Sequence, residues 1–461
     1  MGARLTAALL AGRAAAGLSR RFGLGGGTVI SGHVVPRIAP DALSHIVRRL
    51  PLGSVVISGT NGKTTTARLI AHLLRGNQVR PLHNRAGANL LTGLISAVAE
   101  QTSLDGQPRA DVGLFEVDEA TLPAAIRQLQ PRLVLLTNVF RDQLDRYGEV
   151  HFIYETWRRG LEALPSESNL VLNADDPFVA ALGQDRPNVT YFGLGDPALG
   201  LERPPHAADA RLCMRCGARY EMSVAFYGHL GYYRCPSCGL SRPEPEIVAT
   251  HCLFRGDEGT ELHVETPAGG FDARVHLPGL YNVYNILATS AAALCLGLTP
   301  AAIARELETF TTAFGRLERI AVEDRQLFLA LVKNPVGFTE VLRTIVPSDA
   351  PANLAIFIND HFADGTDVSW LWDVDFELLQ GRVNVAICSG TRAADMAVRL
   401  KYAQVPPERI VVESDPRPAL EQALARSDPG DTVYILPTYT AMLEVRDVLR
   451  KSGYVGHFYE D

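Results

Sequence analysis

The run Ser58-Gly59-Thr60-Asn61-Gly62-Lys63-Thr64-Thr65-Thr66 constrains this chain more than any other stretch. It follows Val55-Val56-Ile57, an apolar run that reads as a buried strand. It precedes Ala67 to Leu74, where apolar residues recur at helical spacing. A strand, a glycine loop and a helix start together make a cradle for phosphate. Glycines let successive N–H groups wrap an anion, and the helix start adds more N–H groups and a favourable dipole. Lys63 is placed to reach the terminal phosphates, and the Thr64 hydroxyl to hold Mg²⁺. Ile57 stands where the first glycine of the longer Walker pattern belongs. The candidate ATP contacts are therefore Gly59, Thr60, Asn61, Gly62, Lys63, Thr64 and Thr65. A chance glycine turn is the competing reading, and the flanking strand and helix weigh against it.

The second constraint is a cysteine cluster. Cys213-Met-Arg-Cys216 and Cys235-Pro-Ser-Cys238 are two knuckles separated by eighteen residues. That spacing suits a four-thiolate zinc site. Gly217 and Gly239 follow the knuckles and supply tight turns. Tyr220, Phe226, Tyr227, Tyr232 and Tyr233 lie between or beside them, so a zinc ribbon is expected. Four thiolates close the coordination sphere, which makes the site structural, not catalytic. Cys252, Cys295 and Cys388 are scattered in apolar contexts and read as core residues. An odd count of seven with one tight cluster argues for metal in a reducing compartment, not a disulfide framework.

At 461 residues the chain has room for two or three domains. Strand-like and helical segments alternate over 51–200, which predicts a parallel sheet. Predicted strands are Ser54–Ser58, Val112–Val117, Leu133–Asn138, Asn169–Asn173 and Val189–Phe192. The cysteine segment, about 205–245, interrupts this rhythm. Ile247 to His276 reads as an antiparallel return, and Tyr281–Leu296 and Pro300–Thr311 as helices. A second α/β unit follows, with strands at Leu327–Val332, Leu354–Asn359, Val383–Ser389, Ile410–Glu413 and Thr432–Pro437. The expected division is 1–50, a helical lead-in; 51–312, an ATP-binding unit carrying the ribbon; and 313–461, a further α/β unit. The net charge of −7 implies no general nucleic-acid affinity. No apolar stretch is long enough to span a membrane. Two readings stand for Met1 to Arg21, rich in Ala, Leu and Arg: a cationic helix touching a membrane surface, or a helix packed on the domain.

Further motifs follow in order. Val112-Gly-Leu-Phe-Glu116 puts a carboxylate at a strand end, where a Mg²⁺ contact is expected in an open α/β sheet. Then come Asn138-Val-Phe-Arg141-Asp142-Gln143-Leu-Asp145, Asn173-Ala-Asp175-Asp176-Pro177, Asn282-Val-Tyr-Asn285 and Gly315-Arg316-Leu-Glu318. In this order, with the compact loop Gly-Thr-Asn-Gly-Lys-Thr, they resemble the Mur ligase superfamily over most of the chain. The resemblance implies that Thr64 and Glu116 bind Mg²⁺, that Asn282 and Asn285 contact adenine, and that Arg316 contacts the γ-phosphate. It implies a Mur ligase-like central P-loop ATPase domain with an inserted zinc ribbon, followed by a C-terminal α/β domain. The chain departs from the usual pattern at three places. Gln143 replaces a metal-binding His, Tyr154 to Arg159 lacks the lysine that many members carbamylate, and Tyr281 replaces a His.

With the ribbon, these departures resemble the MurT branch, the synthetase subunits of lipid II isoglutaminyl synthase. Lys333-Asn334-Pro335 and Asn359-Asp360-His-Phe-Ala-Asp364-Gly365-Thr-Asp367-Val-Ser369-Trp370 carry that likeness into the C-terminal unit. What it implies is ATP-dependent amidation of the D-glutamate α-carboxylate of the lipid II stem peptide, through an acyl phosphate. Ammonia would come from a GatD-type class I glutamine amidotransferase in a heterodimer. The setting implied is cytoplasmic, at the inner face of the membrane. Asp367 would complete the partner's Cys–His pair, and Asp364 would shape the loop. Ser369 to Trp372 is expected to expose two tryptophans. Cys388 is the only candidate for a glutaminase nucleophile here, and a buried strand thiol is the competing reading. Asn84, Arg85 and Asn89 are candidate substrate contacts, with a helix cap by Asn84 as the alternative. A conventional Mur-type amino-acid ligase and a non-catalytic nucleotide-gated scaffold are the competing functions.

Overall fold

The computed structural model describes residues 2–21, 29–84, 88–142, 150–201, 209–311, 316–346 and 351–455. The first sheet has nine strands. They are β1 (Ser54–Ser58), β2 (Pro81–His83), β3 (Val112–Glu116), β4 (Leu133–Leu136), β5 (Asn169–Asn173), β6 (Val189–Leu194), β9 (Ile247–Phe254), β10 (Thr260–Glu265) and β11 (Phe271–Val275). A separate hairpin pairs β7 (Glu221–Tyr227) with β8 (Leu230–Arg234). The order in the large sheet is β11-β10-β9-β6-β5-β4-β1-β3-β2. Strands from β2 to β9 pair in parallel, and β9, β10 and β11 turn back antiparallel.

β1 shows why the sheet is covered on both faces. Its side chains alternate in direction, as strand geometry requires. Val55 and Ile57 pack in the core layer formed with the helices Lys63–Gly76 and Leu280–Cys295. Val56 packs in the opposite layer, with Leu94 and Ile126. A strand buried on both faces must be continuously apolar, which is what makes Val55-Val56-Ile57 legible.

A second sheet forms from β12 (Arg316–Val322), β13 (Arg325–Ala330), β14 (Ala352–Phe357), β15 (Val383–Ser389), β16 (Ile410–Val412) and β17 (Thr432–Pro437), in the order β12-β13-β17-β14-β15-β16. All pairings are parallel except β12 with β13. β13 starts two residues earlier than predicted and stops two earlier, because its register is set by the β12 hairpin. Cys388 is fully buried on β15, and burial pushes its thiol up to about 12. The core reading of Cys388 therefore holds.

The helix Gly2–Arg21 lies on the body of the first unit. Leu5, Ala8 and Leu9 are buried, in the same core layer as Val35 and Val98. The Arg13 guanidinium donates to the Ala99 and Thr102 carbonyls, and Arg4 to that of Ile38. The packed-helix reading of this segment is the one observed.

Candidate functional site

The phosphate loop joins β1 to the helix Lys63–Gly76. Gly62 ends it in the left-handed region, at φ 86°. A Cβ there would lie 2.1 Å from Asn285 Oδ1, so only glycine fits. A Cβ on Gly59 would lie 2.0 Å from Thr137 Oγ1. The loop is held from the end of β4. Asn138 Oδ1 accepts from the Asn61 N–H at 2.8 Å, Thr137 Oγ1 donates to the Asn61 carbonyl at 2.8 Å, and the Phe140 N–H donates to Thr60 Oγ1 at 3.0 Å. These bonds explain why β4 stops at Leu136, two residues before the predicted end. Thr137 is a strand-like residue type, but it and Asn138 serve the loop.

Thr64 and Glu116, expected to share Mg²⁺, meet directly. Thr64 Oγ1 donates to Glu116 Oε2 at 2.8 Å, and both residues are buried. A hydroxyl and a carboxylate side by side at a helix start suit a hard cation with oxygen ligands. Lys63 donates to the Gly59 carbonyl and pairs with Glu119 at 3.1 Å. Burial raises the Glu119 carboxyl above its usual range, and the Lys63 and Lys333 ammonium groups oppose that rise. Glu119 was not singled out from sequence, although it lies three residues beyond the strand-end Glu116.

Asn282 and Asn285 sit on the helix Leu280–Cys295, both buried against the loop. Asn285 Nδ2 donates to Asn282 Oδ1 at 3.0 Å, and Thr66 Oγ1 donates to Asn285 Oδ1 at 3.4 Å. Asn84 is 1% exposed and caps no helix; the next helix begins at Leu91. Its amide donates to the Glu116 and Ala88 carbonyls, each at 2.9 Å, and its oxygen accepts from the Glu116 N–H at 2.9 Å. Asn84 thus fixes the strand-end carboxylate from behind, and the helix-cap alternative is corrected. Asn89 is half-buried, and its carbonyl accepts from the Asp118 N–H at 3.0 Å. Arg85, Gln143 and the side chain of Arg316 lie outside the described residues.

The C-terminal unit closes on this loop. Asn334 Nδ2 donates to Asn61 Oδ1 at 2.9 Å, and Asn334 Oδ1 caps the helix Pro335–Ile345 by accepting from the Gly337 N–H at 2.8 Å. Lys333 pairs with Asp142, and Arg141 with Asp373 at 3.3 Å. Between the two units lies a small open cleft whose lining includes Asp142, Lys333 and Asn334 at one part and Asp364, Asp367 and Ser369 at another. Asn334→Asp is expected to keep the helix cap and lose the donor to Asn61. It should leave thermal stability near wild type and weaken ATP binding by roughly 0.5–1.5 kcal/mol, about 2–10-fold. Asn334→Ala should lose both, with the cap worth about 1 kcal/mol. Melting temperature and the KM for ATP separate the two.

Asp364 is buried, and its carboxylate accepts from the Thr440 N–H at 2.7 Å and from the Thr440 hydroxyl. It shapes the loop. Asp367 is exposed; its Oδ1 accepts from the Ser369 N–H at 2.8 Å, and bonds from Ser369 hold its carboxyl below the usual range. Of the two tryptophans expected at the surface, only Trp372 is exposed. Trp370 is half-buried against Phe338, because its ring closes the apolar layer beneath the loop.

The four clustered cysteines converge. Their sulfurs all lie within 4.8 Å of one another, with Cys213–Cys238 and Cys216–Cys235 at 3.5 Å. Sulfurs around a tetrahedral zinc sit about 3.8 Å apart, from Zn–S bonds of about 2.3 Å. The donor set and spacing fit such an ion. The β7–β8 hairpin carries the cluster, and its tip enters the main core. The His229 ring lies 4.8 Å from Phe140 and 5.7 Å from Phe178, so the ribbon is not a detached appendage.

Comparisons with known proteins agree with this arrangement. Residues 57–230 match the Mur ligase middle domain, and residues 331–442 match the MurT ligase C-terminal domain. The pseudomurein peptide ligase type C of Methanothermus fervidus shares the fold with a TM-score of 0.66 at 24% identity, over 87% of this chain and 79% of that one. The MurF ligase of Thermotoga maritima, solved with ADP, does so with a TM-score of 0.64 at 15% identity, over 91% of this chain and 84% of that one. The subunit MurT of lipid II isoglutaminyl synthase (glutamine-hydrolyzing) from Streptococcus pneumoniae is 32% identical over 97% of this chain and 98% of its own. Its counterpart from Staphylococcus aureus is 32% identical over 92% of this chain and 93% of its own. A Mur ligase core followed by a MurT C-terminal unit, at this identity and over nearly the full length, places the chain in the MurT family of Mur ligase-like synthetase subunits.

Proposed function

We infer that this chain is the ATP-dependent synthetase subunit of a lipid II isoglutaminyl synthase. It is a carbon–nitrogen ligase of peptidoglycan synthesis that converts the D-glutamate α-carboxylate of the stem peptide to the amide. A carboxylate is a poor electrophile, and its phosphorylation by ATP creates a leaving group. The observation that carries this reading is the cleft, which joins the phosphate-loop side to the Asp367 loop. Gly59 to Thr65 cradle the phosphates through backbone N–H groups, and Lys63 and Arg316 offset the charge on the transferring phosphoryl group. Thr64 and Glu116 would hold Mg²⁺, which neutralises phosphate charge when bound. Asn282 and Asn285 take the adenine end; Arg85 and Asn89 are assigned to substrate contact.

The ammonia source is a GatD-type glutaminase subunit docked at Asp367, in a heterodimer. We assign residues 51–312 to the ATP-binding unit and 313–461 to the unit that meets the partner, with 1–50 as the lead-in. Among the described residues no helix is long and apolar enough to cross a membrane, and a lipid-linked substrate puts the proposed reaction at the inner face of the cytoplasmic membrane. The test is reconstitution with a GatD-type partner, lipid II, ATP and glutamine, with mass spectrometry of the product. Amidated lipid II is expected. Addition of an amino acid instead would favour a conventional Mur ligase, and ATP binding without turnover would favour a scaffold.

Zinc is proposed at Cys213, Cys216, Cys235 and Cys238. Purified protein is expected to hold about one Zn²⁺ per chain. Cys235→Ser should lose the metal and lower the melting temperature, because metal binding is coupled to folding. Zinc-free protein, or an unchanged melting temperature, would remove the assignment.

A further inference from the structure

Asp142 carries chemistry that the nucleotide site does not use. It stands in the stretch leaving β4, and its side chain is 4% exposed. One oxygen, Oδ2, accepts from the Lys333 ammonium. The other, Oδ1, is buried and has no hydrogen-bond partner among the described residues. A buried carboxylate oxygen without a donor is costly, and native folds rarely leave one unless a ligand fills the role. Asp142 also lines the cleft that reaches Asp367 and Ser369. It acts, together with Lys63, Lys333 and Asp118, on the charge of Glu119.

Two kinds of ligand suit such an oxygen: a divalent cation or an N–H donor. Lys333 already sets a positive charge on the same carboxylate, which repels a second, doubly charged ion a few ångströms away. A small neutral amine meets no such repulsion. We propose that Asp142 is a catalytic residue whose Oδ1 receives ammonia arriving through the cleft and takes the proton released as the amide forms. The proposal rests on the amidating reading above. In the step, the nitrogen lone pair forms the C–N bond to the acyl carbon. The C–O bond to phosphate breaks, and its electron pair leaves on inorganic phosphate. One N–H proton of the adduct passes to Asp142 Oδ1 and on to solvent. Lys333, bonded to Oδ2, leaves Oδ1 as the free accepting oxygen.

The test uses the whole complex with its glutaminase subunit, with ammonium chloride as nitrogen source. Asp142→Asn keeps the shape and an oxygen for Lys333 but cannot take a proton. The expected result is a ~10²–10⁴-fold fall in kcat/KM for ammonia, the range a general base contributes. The KM for ATP and the Mg²⁺ requirement should not move. Hydroxylamine, which gives up its proton more readily, should still trap the acyl phosphate as the hydroxamate. A raised Mg²⁺ requirement would make Asp142 a metal ligand and overturn the proposal. Equal loss of amide and hydroxamate would place it in phosphoryl transfer and overturn it as well. Lys333→Met is the second variant, for the case in which Asp142→Asn does not fold. It leaves Lys63, Glu119, Asp118 and Arg141 in place but removes the donor that positions the Asp142 carboxylate. The kcat/KM for ammonia should then fall while hydroxamate formation and the KM for ATP hold, and an unchanged kcat/KM for ammonia would overturn the proposal. Failure of the wild-type complex to amidate with ammonia would instead sink the amidating reading.

Discussion

Lys63→Ala and Glu116→Ala should each cut lipid II amidation by about 10²–10³-fold or more, the cost of removing one preorganised charge-stabilising group. Both residues are buried at the phosphate loop, Lys63 in contact with Glu119 and Glu116 in contact with Thr64. The Lys63 charge sits where phosphoryl oxygens accumulate negative charge, and Glu116 would act through the Mg²⁺ it holds, in a site that water screens poorly. The loss should be the same with glutamine or with ammonia, because both nitrogen sources need the acyl phosphate. Glutamine hydrolysis by the partner should continue. Thermal unfolding checks that the fold survives. Lys63→Ala leaves Glu119 buried without its cation, so a modest drop in melting temperature accompanies it. Near-normal amidation by either variant would remove this loop from the mechanism.

Asp367→Asn should separate the two halves of the reaction. The side chain is exposed at the edge of the cleft, and Oδ1 already accepts from the Ser369 N–H. Asparagine can keep that bond, so the loop and the complex should persist. What it loses is the negative charge. An orienting aspartate fixes a histidine's tautomer and stabilises the imidazolium formed when a thiol is activated, and its neutralisation costs up to about 10⁴-fold. Glutamine hydrolysis and glutamine-supported amidation should fall by that order. Amidation at high external ammonia should survive, since Lys63, Glu116 and Thr64 are untouched. Bonds from Ser369 hold the Asp367 carboxyl low, so it stays ionised through the neutral range and its contribution disappears only in acid. Equal loss of both activities, or of neither, would show that Asp367 does not complete the partner's site.

The local signals in the sequence reached far. The glycine loop was legible because its chemistry lies in consecutive residues: a strand, two left-handed or extended glycines and a helix start. The zinc knuckles were legible for the same reason, since each pair of thiols is set by a short turn. The continuous apolar strands announced a sheet covered on both faces. Strand ends were less legible. Thr137 and Asn138 continue an apolar strand run in sequence, but their bonds to Asn61 draw them out of β4.

The tertiary structure decided what distant residues do to one another. Asn334 and Asn61 are 273 positions apart, and Lys333 and Asp142 are 191 apart. No local pattern encodes such pairs; they exist because two sheets pack with their loop ends facing. Within the first unit, folding placed Asn84 as the buried support of Glu116 and brought the tip of the zinc hairpin against Phe140 and Phe178. Residue type and spacing are local properties, and they fixed which chemistry this chain carries. Burial and long-range pairing arise only when the whole chain has folded, and they fixed which carboxylates and cations stand together.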